Sequence, residues 1–160
     1  MKSHDLKKLI CRVLQDFNKY SEESVDLLLL TCAQESSCGQ KLFQIGGGPA
    51  LGIFQMEIDT LHDIINNYLI RRKSLYNSVR LFMCGVSLDL NLTGNILFQI
   101  VIARVYYMRI RTPIPKSRNY ATKSDYIYHL AKYWKKYWNT SEGKGTIEEA
   151  IRNYNRYIKD

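Results

Sequence analysis

The residue best suited to chemistry in this chain of 160 residues is Glu35. It follows an apolar run that includes four consecutive leucines, residues 27–30, so its carboxyl group is expected to lie against a core. A charge is costly in such a place, and a carboxyl group there tends to keep its proton near neutral pH. A position at the end of a helix also disfavours a negative charge, by a smaller amount. Glu35 is therefore a candidate general acid that gives a proton to a leaving group.

A glycine-rich segment after Glu35 is expected to bring polar side chains back to this acid. Residues 39–57 contain five glycines and one proline, which break any helix. Two short apolar pieces, residues 42–45 and 51–54, are able to pair as a small hairpin. The segment is therefore predicted to form a small irregular or β-containing lobe beside the acid.

The elements that position these residues are mostly helical, because apolar residues recur at helical spacing almost throughout. Residues 96–110 are the most continuously apolar and are predicted to be the central buried helix. Residues 91–94 are predicted to be a turn, and Thr146 with Glu149 forms a capping box for the last helix. Further helices are predicted over residues 3–17, 21–34, 59–69, 73–84 and 124–138. The fold class is therefore expected to be mainly α, with a small lobe around residues 39–57.

Two motifs carry a family resemblance. Glu35-Ser36, followed by Gly52-Ile53-Phe54-Gln55-Met56, resembles the soluble lytic transglycosylases and related lysozyme-like enzymes. These enzymes place a catalytic Glu-Ser at the end of one helix and a Gly-x-x-Gln-hydrophobe turn about twenty residues later. A weaker similarity to phage-encoded lysozyme-like proteins covers residues 55–63 and 133–146, so that about two thirds of the chain is spanned. In this family an Asn-Ala-Gly motif often follows a tyrosine. That motif is absent from this sequence, and Tyr106, Tyr107 or Tyr154 is expected to take the place of the family's tyrosine.

The resemblance implies a single lysozyme-like domain over residues 1–160 that cleaves the glycan strand of bacterial peptidoglycan. Glu35 would protonate the oxygen between N-acetylmuramic acid and N-acetylglucosamine and then act as a base, which yields a 1,6-anhydro product. Ser36 would orient Glu35, and Gln55 would hold a sugar amide or hydroxyl. The substrate-binding residues are expected to be Ser36, Gln55, Met56, Tyr106, Tyr107, Trp134 and Tyr154. No metal or organic cofactor is implied.

A hydrolytic muramidase on the same fold is the alternative, and it would need a second carboxylate or an ordered water across the cleft. Glu57, Asp59 and Asp63 are the candidates for that carboxylate. Asp59 also suits the N-cap of a helix, and Asp63 suits a solvated position in its first turn.

The net charge of +8 lies in the C-terminal part of the chain, because residues 104–160 carry thirteen Lys and Arg against five Asp and Glu. Such a basic, aromatic region suits an anionic polymer, here the bacterial envelope, with Lys132, Lys135 and Lys136 as expected contacts. A nucleic-acid-binding protein that uses the same charges is an alternative of another class, although it would leave Glu35 without a role; no specific nucleic acid is expected as a partner. A structural virion protein without activity is a third possibility.

The composition of 46% hydrophobic and 24% charged residues is typical of a globular protein. No apolar run approaches the ~20 residues of a membrane span, and the first residues show no signal-peptide pattern. Together with the resemblance to phage-encoded proteins, this implies a protein that stays in a host cytoplasm until its release to the periplasm, or that is carried in a virion. A monomer is favoured.

Overall fold

The chain is mainly helical, as predicted, in a computed structural model that describes residues 3–44 and 46–158. Over this part, eight α-helices and one two-stranded sheet are formed. In chain order the helices are α1 (Ser3–Asp16), α2 (Glu22–Ser36), α3 (Ile58–Asp63), α4 (Lys73–Arg80), α5 (Leu88–Gly94), α6 (Ile96–Met108), α7 (Lys123–Trp134) and α8 (Ile147–Tyr157). Two of them continue as π-helical turns, α3 through Ile64–Leu69 and α7 through Lys135–Asn139.

Helix termini are set by local hydrogen bonds. Ser21 and Ser24 form a capping box at the start of α2, and Thr146 and Glu149 form the predicted one at the start of α8. Helix α2 ends because Ser37 takes a left-handed conformation with φ of 53°. This stop leaves Glu35 in the last turn of α2.

The hydrophobic core is built around α2 and α6. Leu27, Leu28, Leu29 and Leu30 are fully buried, so α2 is enclosed on all sides, and it packs against α1, α6, α7 and α8. Helix α6 is the predicted buried helix, since Phe98, residues 100–103 and Val105 are buried. Glu35 therefore extends from one of the most deeply buried helices of the fold.

The small lobe contains the two strands β1 (Ala50–Leu51) and β2 (Met56–Glu57), which pair antiparallel. The predicted pairing of residues 42–45 with 51–54 forms only as a bridge between Phe43 and Leu51, and residue 45 lies outside the described residues. The difference arises because residues 52–55 form a turn, in which Gly52 and Gln55 have φ of 74° and 47°.

Several predicted boundaries were wrong. Residues 91–94 belong to α5 and do not form a turn. The side chain of Asn91 accepts a hydrogen bond from the Cys84 amide and donates to carbonyls of residues 84, 86 and 87, so it anchors the loop before α5. The helix expected from Asp59 begins one residue earlier, after Glu57, and the helix expected over 73–84 ends at Arg80.

Within the described residues, no single helix has the length and apolarity to cross a membrane. The adjoining helices α5 and α6, bent by 101° between them, meet those criteria only when they are taken together.

Candidate active site

Glu35 combines burial with one specific hydrogen bond. Its carboxylate accepts a hydrogen bond of 3.1 Å from the indole Nε1 of Trp134, which is fully buried on α7. Burial raises the pKa of Glu35 to about 7, and the hydrogen bond from Trp134 opposes part of this rise. The direction agrees with the prediction, because desolvation penalises the charged form. The carboxyl group thus exchanges its proton near neutral pH, as a general acid and base requires.

Glu35 lines a cavity of about 550 Å³ between the small lobe and the helical body. We call it the Glu35 cleft. The lobe lines one side and residues 138–145 line the other. The full lining is Gln34, Glu35, Lys41, Phe43, Gln44, Ala50, Gln55, Glu57, Trp138, Asn139, Glu142, Gly143, Lys144 and Gly145.

Of the three candidate second carboxylates, Glu57 lines the Glu35 cleft and the other two do not. Asp63 forms an ion pair of 2.6 Å with Arg109. Asp59 is exposed in the first turn of α3 and is not its N-cap. Glu142, which the sequence did not single out, supplies another exposed carboxylate to the same cleft.

Ser36 does not bind Glu35, contrary to the expectation. Its side chain is fully buried, and its hydroxyl donates to the Ile53 carbonyl at 2.6 Å. The same oxygen accepts a hydrogen bond of 2.8 Å from the Gly39 amide. Ser36 therefore attaches the small lobe to the end of α2, and it cannot contact a substrate.

Gln55, a predicted substrate-binding residue, lies in the wall of the Glu35 cleft. It is partly exposed and donates from Nε2 to the Gly52 carbonyl at 2.8 Å. This bond fixes the amide plane, and Oε1 makes no hydrogen bond within the described residues. Met56 lines a 130 Å³ extension of the cleft but is only 3% exposed, so its role is mainly packing.

The aromatic candidates divide by burial. Tyr106 is partly exposed, lines the same extension of the cleft, and donates from its hydroxyl to the Tyr137 carbonyl. Tyr107 and Tyr154 are buried, and the Tyr107 hydroxyl lies 2.8 Å from the Thr31 hydroxyl. Trp134 is also fully buried, so it acts on Glu35 and does not contact a substrate. These three predicted substrate contacts were wrong, because helical spacing turned the rings into the core.

The far wall of the cleft, residues 138–145, was not predicted as part of the site. Lys135 holds it, since Nζ donates to Asn139 Oδ1 at 2.6 Å and to the Gly143 carbonyl at 2.8 Å. Gly145 lies so close to Trp134 that a Cβ atom would come within 2.8 Å of the indole. The two glycines of this segment indicated a turn in the sequence, and nothing in it indicated what the turn packs against.

Gln99 on α6 is a second structural residue that the sequence did not reveal. Its side chain is 2% exposed, and its Oε1 accepts a hydrogen bond of 2.7 Å from the Ile53 amide. Its Nε2 donates to the Thr93 carbonyl at 3.0 Å. Gln99 therefore fixes the turn that carries Gln55 relative to the central helix.

A larger cavity of about 870 Å³ lies elsewhere, among residues 112–120 and 129–147. Its lining is mostly apolar and includes no carboxylate side chain, so it does not share the chemistry of the Glu35 cleft. Lys132 and Lys136 border it and are exposed, whereas the contacts of Lys135 make that residue structural. No group of three or more metal-binding side chains is found among the described residues.

Comparisons with family models, with curated proteins and with solved structures give no match for this chain.

Proposed function

We propose that this protein cleaves the glycosidic bond between N-acetylmuramic acid and N-acetylglucosamine in peptidoglycan, as a lytic transglycosylase with Glu35 as its acid and base. The observation that carries the proposal is a half-buried carboxyl group with a pKa of about 7 in an open polar cleft. A group that must first give and then take a proton works best when its pKa lies near the working pH.

In the first step, the protonated Glu35 gives its proton to the glycosidic oxygen while the bond from that oxygen to C1 of the muramic residue breaks. The departing sugar leaves as a neutral alcohol, and Glu35 becomes a carboxylate. Trp134 stabilises this carboxylate through its indole N–H, at the point in the reaction where the charge is present.

In the second step, the carboxylate takes the proton of the muramic C6 hydroxyl, whose oxygen bonds to C1 and closes a 1,6-anhydro ring. Glu35 is returned to its protonated form, and no water is consumed. The Oε1 atom of Gln55 would orient an acetamido or hydroxyl group of the sugar near the acid, since Nε2 already donates to the Gly52 and Lys41 carbonyls.

Hydrolysis of the same glycosidic bond in the Glu35 cleft is the second candidate function, because Glu57 and Glu142 also line this cleft. Either carboxylate would activate a water on the opposite face of the sugar ring. The product distinguishes the two reactions, since hydrolysis leaves a reducing end and the transglycosylase reaction leaves an anhydro end.

The test is mass spectrometry of the soluble products from purified sacculi treated with the wild type, Glu35→Gln and Glu57→Gln. We expect anhydromuropeptides that vanish with Glu35→Gln and persist with Glu57→Gln. Reducing-end products that vanish with Glu35→Gln would favour the muramidase, and their loss with Glu57→Gln as well would assign Glu57, and not Glu142, as its second carboxylate. If neither product is formed, the proposal of an enzyme fails, and binding or a structural virion role becomes the leading account.

The proposal also includes a bacteriophage setting, with release to the periplasm at lysis or carriage in the virion. Lys132 and Lys136 would help to hold the protein on the anionic envelope, since both are exposed on α7 and its π-helical extension. Neutralising both is expected to weaken binding to sacculi, and unchanged binding would contradict this part of the proposal.

A further inference from the structure

Four arginines surround a polar cavity of about 630 Å³ that is separate from the Glu35 cleft. Arg71 and Arg72 come from the end of the π-helical turn after α3, and Arg109 and Arg111 follow the end of α6. Asn67 and Tyr68 complete the lining. We call this cavity the arginine cleft.

Two of the four guanidinium groups are held in place. Arg72 lies 3.9 Å above the ring of Tyr68 and donates from Nη1 to the Tyr68 carbonyl at 3.1 Å. Arg109 forms its 2.6 Å ion pair with Asp63, whose other carboxylate oxygen accepts a hydrogen bond from Asn67 at 2.7 Å. The Asn67 bond and Arg109 together lower the pKa of Asp63, so this carboxylate stays charged at neutral pH. The cleft is therefore partly organised before any ligand arrives.

The other two guanidinium groups are not neutralised. Arg71 and Arg111 are exposed, and neither forms an ion pair or a hydrogen bond with the described residues. Among the residues that the structure describes, Asp63 is the one acidic residue paired with the cluster, so four positive charges face one negative charge. Like charges brought together in one cavity repel each other, and a bound anion would relieve that repulsion.

The presence of arginine, and not lysine, limits which kinds of anion fit this cavity. A guanidinium group offers a planar fork of N–H donors that matches two oxygens of a carboxylate or phosphate. A single carboxylate has two oxygens and one charge, which would leave most of the excess uncompensated. A phosphate group has more acceptor oxygens and, as a monoester or pyrophosphate, at least two charges, so several forks contact it at once.

We propose that the arginine cleft is a phosphate-binding site. It takes a phosphate group, either free in solution or carried on a lipid headgroup, against Arg71 and Arg111, and Arg72 and Arg109 line the same cavity. The site does not include Glu35 and is independent of the reaction proposed for the other cleft.

The test is isothermal titration calorimetry with sodium pyrophosphate at constant ionic strength, on the wild type and on Arg71→Gln/Arg111→Gln. Both side chains are exposed, so the double variant is expected to fold. We expect its affinity to fall about tenfold or more, because at least two charge-assisted contacts are lost. Lys7→Gln/Lys8→Gln is the matched control, since both side chains are exposed on α1 and the change removes the same charge from another surface, so this variant is expected to bind as the wild type does. Glu35→Gln is likewise expected to bind normally.

A second arm distinguishes the source of the phosphate. Vesicles of phosphatidic acid, whose headgroup is a phosphate monoester, and phosphatidylcholine are mixed with the same four proteins at the same ionic strength. Binding that pyrophosphate displaces, and that the arginine variant alone loses, assigns a lipid headgroup; pyrophosphate binding without vesicle binding assigns free phosphate. The proposal is overturned if wild type binds neither probe, or if the lysine control weakens binding as much as the arginine variant, since the effect is then one of net charge.

Discussion

Replacing Glu35 with glutamine is expected to change how the stability of the protein depends on pH, whatever reaction the cleft performs. Glutamine keeps an oxygen that accepts the Trp134 hydrogen bond, and it removes only the ionisation. The wild-type carboxyl group has its pKa raised by burial from 4.5 to about 7, so the folded state holds the proton more tightly than the unfolded state does.

The sign and size of the effect follow from this difference. Below pH 4.5 the group is protonated in both states; as the pH rises through 7 the folded state must bury a charge, and stability is lost. A rise of roughly 2.5 in pKa corresponds to about 3 kcal/mol, and partial exposure of the side chain reduces the expected loss to about 2–3 kcal/mol. Glu35→Gln lacks this loss, so its stability relative to the wild type increases by that amount between pH 4 and pH 8.5.

The assay is urea denaturation of both proteins at several pH values, followed by tryptophan fluorescence. Taking the difference in free energy of unfolding between the two proteins at each pH cancels the titration of all other groups. Glu57→Gln is the control, because it removes an exposed carboxylate from the same cleft and leaves Glu35 in place, so the loss of stability caused by Glu35 is expected to persist in this variant.

A difference between wild type and Glu35→Gln that stays constant from pH 4 to pH 8.5 would refute the reasoning. It would mean that water reaches the carboxyl group freely, and the basis for Glu35 as a general acid would be lost with it.

Three further outcomes are expected. Trp134→Phe removes the donor to Glu35 and raises the pKa of that carboxyl group further, by about one, which carbon-13 NMR of its carboxyl carbon measures directly. An unchanged or lower value would contradict the assigned hydrogen bond. Ser36→Ala leaves the buried Ile53 carbonyl and the partly buried Gly39 amide without their partner and is expected to cost about 2 kcal/mol in the free energy of unfolding. A loss below about 0.5 kcal/mol would mean that the lobe is held in another way. Gly52→Ala places a Cβ atom 2.2 Å from the Leu92 carbonyl oxygen and 2.5 Å from Gln99 Oε1, at a φ of 74°. A loss of at least about 2 kcal/mol in the free energy of unfolding is expected in the same denaturation assay. An unchanged stability would contradict the close approach of this turn to Leu92 and Gln99.

The sequence predicted what depends on neighbours along the chain. Apolar spacing identified α1, α2, α6 and most of α7, and the box formed by Thr146 and Glu149 identified the start of α8. The burial of Glu35 followed from the leucines before it, and glycine content located the small lobe. Each of these features has its cause within a few residues of its position.

Contacts between segments that are distant along the chain could not be predicted, because no pattern of neighbouring residues indicates them. Trp134 lies 99 positions from Glu35, and Gln99 lies 46 positions from Ile53. The indole N–H of a tryptophan and the amide of a glutamine can hydrogen-bond to many different groups, so the residue type alone does not identify the partner. The same limit explains Tyr107 and Tyr154, whose aromatic side chains suit a sugar site and a core equally well.

The long separation between Glu35 and its partners has a consequence for how the protein is made. Trp134 and the segment that walls the cleft are synthesised about a hundred residues after Glu35, and Asn153, which donates to Gln34 beside it, comes 119 residues after its acceptor. Until those segments pack against α2, Glu35 is exposed to water and its pKa is the ordinary value of 4.5. At neutral pH a nascent chain therefore carries Glu35 as an ionised carboxylate, and the pKa of this group rises only when the C-terminal helices α7 and α8 fold onto α2.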